Sequence, residues 1–404
     1  MKYSPCEVQV NLKENIVNDK DKTKDVTSKS ILLAGAVYLL LSVYLPVAFF
    51  VNINTSILQV ISIAAAAVCA FAISRLSGAK KPSSSIFLVI GCFIFLGTVL
   101  CGLAAAVIGS VCILGYLLTA AKNTAAKVLS FLPAVAAYII AYLVIGSPIA
   151  AAIALAHIPA AIALAYSFKK KLGRVSAICH ISVGIILGIT AILSAFFISR
   201  HGLSLEALIS VIDSAKNNLM TTLSNGLFSV SGELLQMSRT DVEELSATVI
   251  GAAFNLLPAI IVVLSNILAF FLHLTMTRIM LRSVESKEDI KTMISFEMSL
   301  ISAIVFLCTL LLAAILSEEI TVWSVTVENL MFILMPGLIF TAVGTLRAFM
   351  FAKGSSCFGA LAYLAIIMSI FYLPSVMLPV GSIAGAVIII IHNVAKGKAE
   401  KKDQ

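Results

Sequence analysis

The sequence predicts an all-α, polytopic transmembrane helical bundle of about twelve spans, with both termini cytoplasmic and one extracytoplasmic amphipathic helical insertion. Three observations predict it. The 404 residues are 60% hydrophobic and only 12% charged, about half the charged share of an ordinary soluble domain. Apolar runs near the length that crosses a ~30 Å hydrocarbon core recur along the whole chain. The charges lie outside those runs, with the bases on alternate loops, as retention of Lys and Arg on the cytoplasmic side requires.

The apolar runs are 31–51, 56–74, 85–120, 128–146, 149–168, 175–198, 248–274, 298–316, 329–352 and 357–392. At 1.5 Å per residue, 85–120 and 357–392 would each extend about 54 Å, too long for one crossing. The first is expected to break near Cys101-Gly102. The second should break between Pro374 and Pro379, where two prolines interrupt the helical ladder.

With the N-terminus inside, every one of the 28 basic residues except Arg200, Lys216 and Arg239 falls in a cytoplasmic tail or loop. Residues 1–30 are polar and of mixed charge, unlike a secretory signal, and read as an uncleaved cytoplasmic tail. The resulting organisation is 1–30 tail, 31–198 N-terminal membrane bundle of about seven spans, 199–247 extracytoplasmic segment, 248–392 C-terminal bundle of about five spans, and 393–404 basic tail.

The 199–247 segment departs from the hairpin rhythm. Leu205, Leu208, Ile212, Leu219, Leu223 and Leu227 recur at helical steps, so an amphipathic helix is expected, with Ser204 as its cap and breaks at Asn225-Gly226 and Ser231-Gly232. A second helix is expected from Thr240, which forms a capping box with Glu243. It should continue into the next span and bend at Pro258. Leu205, Leu208, Ile212, Leu219 and Leu223 are the candidate partner-binding residues.

All twenty acids fall in tails or loops. A mid-membrane carboxylate is the usual mark of proton or cation coupling, so carboxylate-based coupling is not expected. HExxH, a Walker lysine loop and a nucleophile elbow are all missing from the sequence, and no catalytic role, cofactor or metal is expected. The eight cysteines form no CxxC pair, which argues against a zinc site or disulfide framework. The +8 net charge is spread over many short loops and implies inner-leaflet lipid rather than nucleic acid as its partner.

Three histidines lie in or near spans: His157 mid-span, and His180 and His273 near the cytoplasmic face. His157 reads either as a ligand-binding or protonatable group or as an interhelical hydrogen bond. Asn255 and Asn266, eleven residues apart and flanking Pro258, make theirs the most polar span and read as helix packing or as ligand contacts. Gly184-Ile-Ile-Leu-Gly188 is a close-packing signal, and AAIALAH (151–157) followed by AAIALAY (160–166) describes a thin, small-residue helix.

The stretch from about 199 to 355 carries a resemblance. Its features are the amphipathic segment from Leu205, then Leu256-Leu-Pro-Ala-Ile-Ile-Val-Val-Leu-Ser-Asn266 leading to Thr277-Arg-Ile-Met-Leu-Arg282, and Met335-Pro-Gly-Leu-Ile-Phe-Thr-Ala-Val-Gly344 before Arg347. This layout resembles the YybS-like integral membrane proteins, a domain of unknown function whose members are similar to substrate-capture subunits of energy-coupling-factor transporters. The resemblance implies a multi-pass protein of a bacterial, Gram-positive plasma membrane. The function expected is capture or transport of a small organic solute, with Asn255, Asn266 and His157 as polar contacts. The alternative is an envelope scaffold binding a membrane-protein partner through 199–247.

Overall fold

The computed structural model describes residues 28–52, 54–76, 83–121, 124–200, 204–231, 238–280, 296, 298–316, 321–351 and 372–400. Among these, all regular structure is helical. The helices are α1 Ser28–Phe50, α2 Thr55–Leu76, α3 Ser83–Ala120, α4 Thr124–Ser130, α5 Leu132–Ile145, α6 Pro148–Leu155 and α7 Ile158–Lys169. They continue with α8 Arg174–Arg200, α9 Leu205–Ser231, α10 Arg239–Asn255, α11 Leu257–Met280, α12 Leu300–Ile315, α13 Val322–Phe351 and α14 Pro374–Glu400. Among the described residues, nine helical stretches are long and apolar enough to cross a membrane, and α12 is a shorter apolar helix. The chain is an all-α multi-pass membrane protein.

The expected interruptions of the long runs can be compared with the observed ones. The 85–120 run breaks at Gly97, whose φ of 71° lies in the left-handed region that glycine enters without strain, rather than at Cys101-Gly102. The last helix begins at Pro374, within the expected window. The remainder of the 357–392 run lies outside the described residues.

Two compact units emerge. The N-terminal unit comprises Lys24–Arg239 and Leu264–Ser295; the C-terminal unit comprises Thr240–Val263 and Phe296–Gln404. In the N-terminal unit, α1 packs on α2, α3, α5 and α6, α3 also on α7, and α8 on α6 and α7. Its buried positions are dominated by alanine, among them Ala150 and, in the near-repeat, Ala151, Ala154, Ala160, Ala161 and Ala165. Without a hydrophobic drive between helices in lipid, close backbone approach through small residues supplies the van der Waals gain.

In the C-terminal unit, α12, α13 and α14 pack on one another around Ala303, Phe306, Met335, Leu338, Ala386 and Ile389. Ser299 caps α12, its hydroxyl accepting from the Ser302 amide at 3.2 Å. Thr321 caps α13 in the same way, accepting from the Ser324 amide at 3.1 Å. Glu328 proves to lie inside α13, exposed and two turns from its start, so one carboxylate assigned to a loop by sequence sits on a membrane-length helix. Trp323, 74% exposed one turn before it, marks that end as interfacial.

The insertion follows its expectation at one end and departs from it further on. Ser204 accepts from the Ala207 amide at 3.1 Å, capping α9 as expected. The helix runs through Asn225-Gly226 and ends at Ser231, because Leu223 and Leu227 keep the apolar period in phase across that pair. The next helix starts at Arg239, ahead of the Thr240 cap expected. It does not continue unbroken into the span: a turn at Leu256 separates α10 from α11.

Candidate functional site

Position 157 lies in a helix break. α6 ends at Leu155 and α7 begins at Ile158 with Pro159 in its first turn, so the segment read as one span is two helices meeting at Ala156–His157. Proline has no amide hydrogen and cannot close the ladder there. The break places the His157 ring inside the bundle, 5% exposed.

Its partner is Tyr38 of α1, 119 residues away. The phenol Oη and His157 Nε2 are 2.6 Å apart, with the rings edge to face at 5.2 Å. Which atom donates depends on the imidazole tautomer. Nδ1 is buried and, among the described residues, has no hydrogen-bond partner. One turn along α1, Ser42 donates to Ser110 of α3 at 3.5 Å, both side chains fully buried. A short polar seam therefore crosses an alanine-rich core. Each such net bond contributes about 1 kcal/mol, and the seam also sets which faces of α1, α3 and the break must meet.

The break is clamped from the other side by α8. A Cβ on Gly184 would lie 2.7 Å from the Ala160 backbone, and one on Gly188 would overlap the Ala156 carbonyl oxygen. The glycine pair thus seats α8 directly on the backbone around His157. One and two turns beyond Gly188 the same ladder carries Ile192 and Phe196 in place of glycine. Beside them is a cleft of about 390 Å³ lined by Phe49, Phe50, Ile149, Ile153, Ile192, Leu193 and Phe196. Ile149, Ile153 and His157 follow one another at four-residue steps. Phe49 is eleven residues beyond Tyr38, on the same face of α1. The cleft is apolar throughout and lies toward the end of the bundle that the charge pattern assigns to the outside.

A second polar site lies in the C-terminal unit, on a residue that sequence reasoning passed over. Asn329 of α13 is buried and addresses the α10–α11 break with both ends of its amide. Its Oδ1 accepts from the Ala259 amide at 2.9 Å; its Nδ2 donates to the Asn255 carbonyl at 2.8 Å and to the Val325 carbonyl at 2.8 Å. Ala259 N–H and Asn255 C=O are the two groups that an unbroken helix would pair with each other. The inserted amide stands between them and satisfies both.

The sequence-derived candidates are distributed as follows. His157 and Asn266 belong to the N-terminal unit and Asn255 to the C-terminal one. The half-buried Asn266 makes neither a hydrogen bond nor a ring contact with His157. For Asn255 the bonded group is its backbone carbonyl. The turn at Leu256 lies between Asn255 and Asn266, so the eleven-residue phase relation of a continuous helix does not hold. His180 is exposed, its Nδ1 donating to the Ser176 carbonyl at 2.7 Å, and the buried His273 stacks on Phe168 at 5.2 Å. Leu208, Ile212 and Leu219 are exposed and Leu223 is half-buried. Leu205 opens α9. Tyr38 and Asn329, the two partners not foreseen, are polar side chains in apolar runs, Tyr38 in company with Ser42 and Tyr44 and Asn329 next to Glu328. That was the available signal.

Among the described residues no group of three or more His, Cys, Asp or Glu could hold a metal ion. The profile of a family described as predicted membrane protein, DUF2232, matches residues 86–385. No curated protein matches, and no solved structure matches.

Proposed function

Since the chain belongs to the DUF2232 family of predicted membrane proteins, we propose that it is a non-catalytic membrane protein that captures a small, largely apolar organic solute. The observation that carries this reading is the cleft between α1, α6 and α8, whose 390 Å³ falls within the range of small-molecule sites. An all-apolar wall favours the body of a nutrient-like or lipid-like molecule over a multiply charged ion. His157, one turn beyond the cleft-lining Ile153, supplies the polar contact, its Nδ1 being the hydrogen-bonding group left over by the Tyr38 bond. The resemblance of the sequence layout to substrate-capture subunits is an expectation that points the same way. Asn255 and Asn266 are not among the residues lining this cleft, and any polar contribution they make to solute retention is read from their alanine variants.

The test is solute retention. Full-length protein purified in mild detergent is analysed by mass spectrometry for copurifying small molecules and titrated with a fluorescent fatty-acyl probe. Ile192→Trp, which fills the cleft, is expected to remove the copurifying solute and weaken the probe by at least about tenfold, since 1.4 kcal/mol of lost contact suffices for that. His157→Phe, Asn255→Ala and Asn266→Ala are read in the same assay for their polar contributions. Full retention of both solute and probe by Ile192→Trp would sink the capture reading.

A second reading has its own observation. Leu208, Ile209, Ile212 and Leu219 are exposed along one arc of α9, a face of the kind that docks a partner helix in the cell envelope. Deleting 204–236 is then expected to abolish capture of a membrane-protein partner while the spans still assemble. Undiminished association after that deletion would count against the scaffold role.

A further inference from the structure

The link between α7 and α8 places four bases within residues 169–174, Lys169, Lys170, Lys171 and Arg174, at the end of the bundle that the loop charges mark as cytoplasmic. Its backbone is fixed. The Leu172 amide donates to the Ser167 carbonyl at 3.0 Å and the Lys171 amide to the Phe168 carbonyl at 3.2 Å. Lys171 occupies the left-handed position (φ 52°) that a glycine ordinarily takes in such a helix ending. The Lys169 ammonium is held as well, donating to the Leu118 carbonyl in the last turn of α3 at 2.8 Å.

Arg174 is the unusual member. It is half-buried, and its guanidinium lies 5.8 Å over the Phe270 ring of α11. One turn along α11, His273 stacks on Phe168. The Arg174 Nε is buried and, among the described residues, has no hydrogen-bond partner. Arg174 is also the first residue of α8, where the helix dipole is positive and a cation is disfavoured. No acidic residue occurs anywhere in α3, α7, α8 or α11. The charge of a partly buried guanidinium, of Lys169 and Lys170, and of a helix N-terminus therefore meets no carboxylate from these four helices. An aromatic face offsets only a small part of it.

We propose that this junction binds one phosphate-type anion, either the phosphodiester of an anionic lipid of the cytoplasmic leaflet or free phosphate. Arg174 offers a fork of donors that matches two phosphate oxygens. The first amides of α8 lack intrahelical acceptors and point the same way. Lys170, exposed at the mouth, adds long-range attraction. The half-buried Phe270 walls the apolar side, where an acyl chain would run.

The experiment uses full-length protein in mild detergent. Thermal unfolding is followed with added phosphatidylglycerol, phosphatidylcholine or inorganic phosphate at matched ionic strength, and retained lipid is counted by native mass spectrometry. Phosphatidylglycerol is expected to raise the unfolding temperature, phosphatidylcholine to leave it unchanged, and one anionic lipid to be retained. Arg174→Gln is expected to weaken the anion response roughly tenfold or more, and Arg174→Lys to keep part of it, having the charge without the fork. A response to inorganic phosphate as large as that to the lipid assigns the site to a soluble anion. Should Arg174→Gln not fold, Lys170→Gln must still lower the anionic affinity, by about fivefold. Equal responses to both lipids with none to phosphate, or an anion response untouched by these variants, would overturn the proposal.

Discussion

Asn329→Leu is expected to destabilise the C-terminal unit by about 2–4 kcal/mol, because it orphans one buried and one part-buried backbone group at ~1–3 kcal/mol each. The side chain is close to isosteric, so cavity formation contributes little and the cost isolates the amide. With the amide gone, the Ala259 N–H and the Asn255 carbonyl lose the partner that held the break open. They can recover only by closing on each other, which would straighten α10 into α11. Pro258 opposes that closure, since its ring clashes with the carbonyl four residues earlier. Thermal unfolding of the variant against the parent in one detergent reads the loss. A change within about 0.5 kcal/mol would mean that the ladder closes unaided, and that the amide is not what sets the break. Asn329→Asp separates the two ends of the bridge: it keeps an acceptor for Ala259 and removes the donor to Asn255, so a loss no smaller than that of leucine is expected once a charge is buried there.

The break at 256 also shows where sequence stops informing. Pro258 announced a distortion, and the distortion is there; whether it became a bend or a full turn was decided by a residue 70 positions away. The same holds for His157. Its place mid-span was legible, and so was the choice between a ligand contact and an interhelical bond, but Tyr38 lies 119 residues off and no local pattern connects the two. What could be read was periodic or cumulative. Helix length against bilayer thickness gave the all-α bundle, apolar spacing gave α9 with its Ser204 cap, and small-residue runs gave the close packing of 149–168, though as one helix where the structure has α6 and α7. Glycine was the ambiguous letter. Asn225-Gly226 looked like a stop, yet Gly226 stands in open space and nothing requires an unusual backbone there. Gly97, unremarked in a continuous apolar run, takes the left-handed conformation.

Gly188 tests what a buried glycine is for in this fold. Gly188→Ala adds a single methyl group, which in an exposed helix interior would stabilise by about 0.5–1 kcal/mol. Here that methyl meets the backbone oxygen of Ala156, and a backbone cannot yield as the tip of a side chain can. Either α8 moves off the break or the break moves off α8. The expected result is destabilisation of about 1–3 kcal/mol or more, the range for overpacking a dense interface, and Gly188→Leu should prevent assembly of the N-terminal unit. Gly251→Ala is the matched control: it lies inside α10 with nothing within 4 Å of the added atom, so it is expected to hold or raise the unfolding temperature. The consequence reaches beyond stability, because the Ala156 backbone that Gly188 abuts is the neighbour of His157. Separating α8 from it should weaken the 2.6 Å bond to Tyr38 and widen the cleft above, so a destabilised but folded Gly188→Ala should also bind the fatty-acyl probe differently from the parent. If it loses stability with unaltered probe binding, the glycine seat and the cleft are energetically separate. If it loses no stability at all, the contact between α8 and the break is looser than the backbone geometry requires.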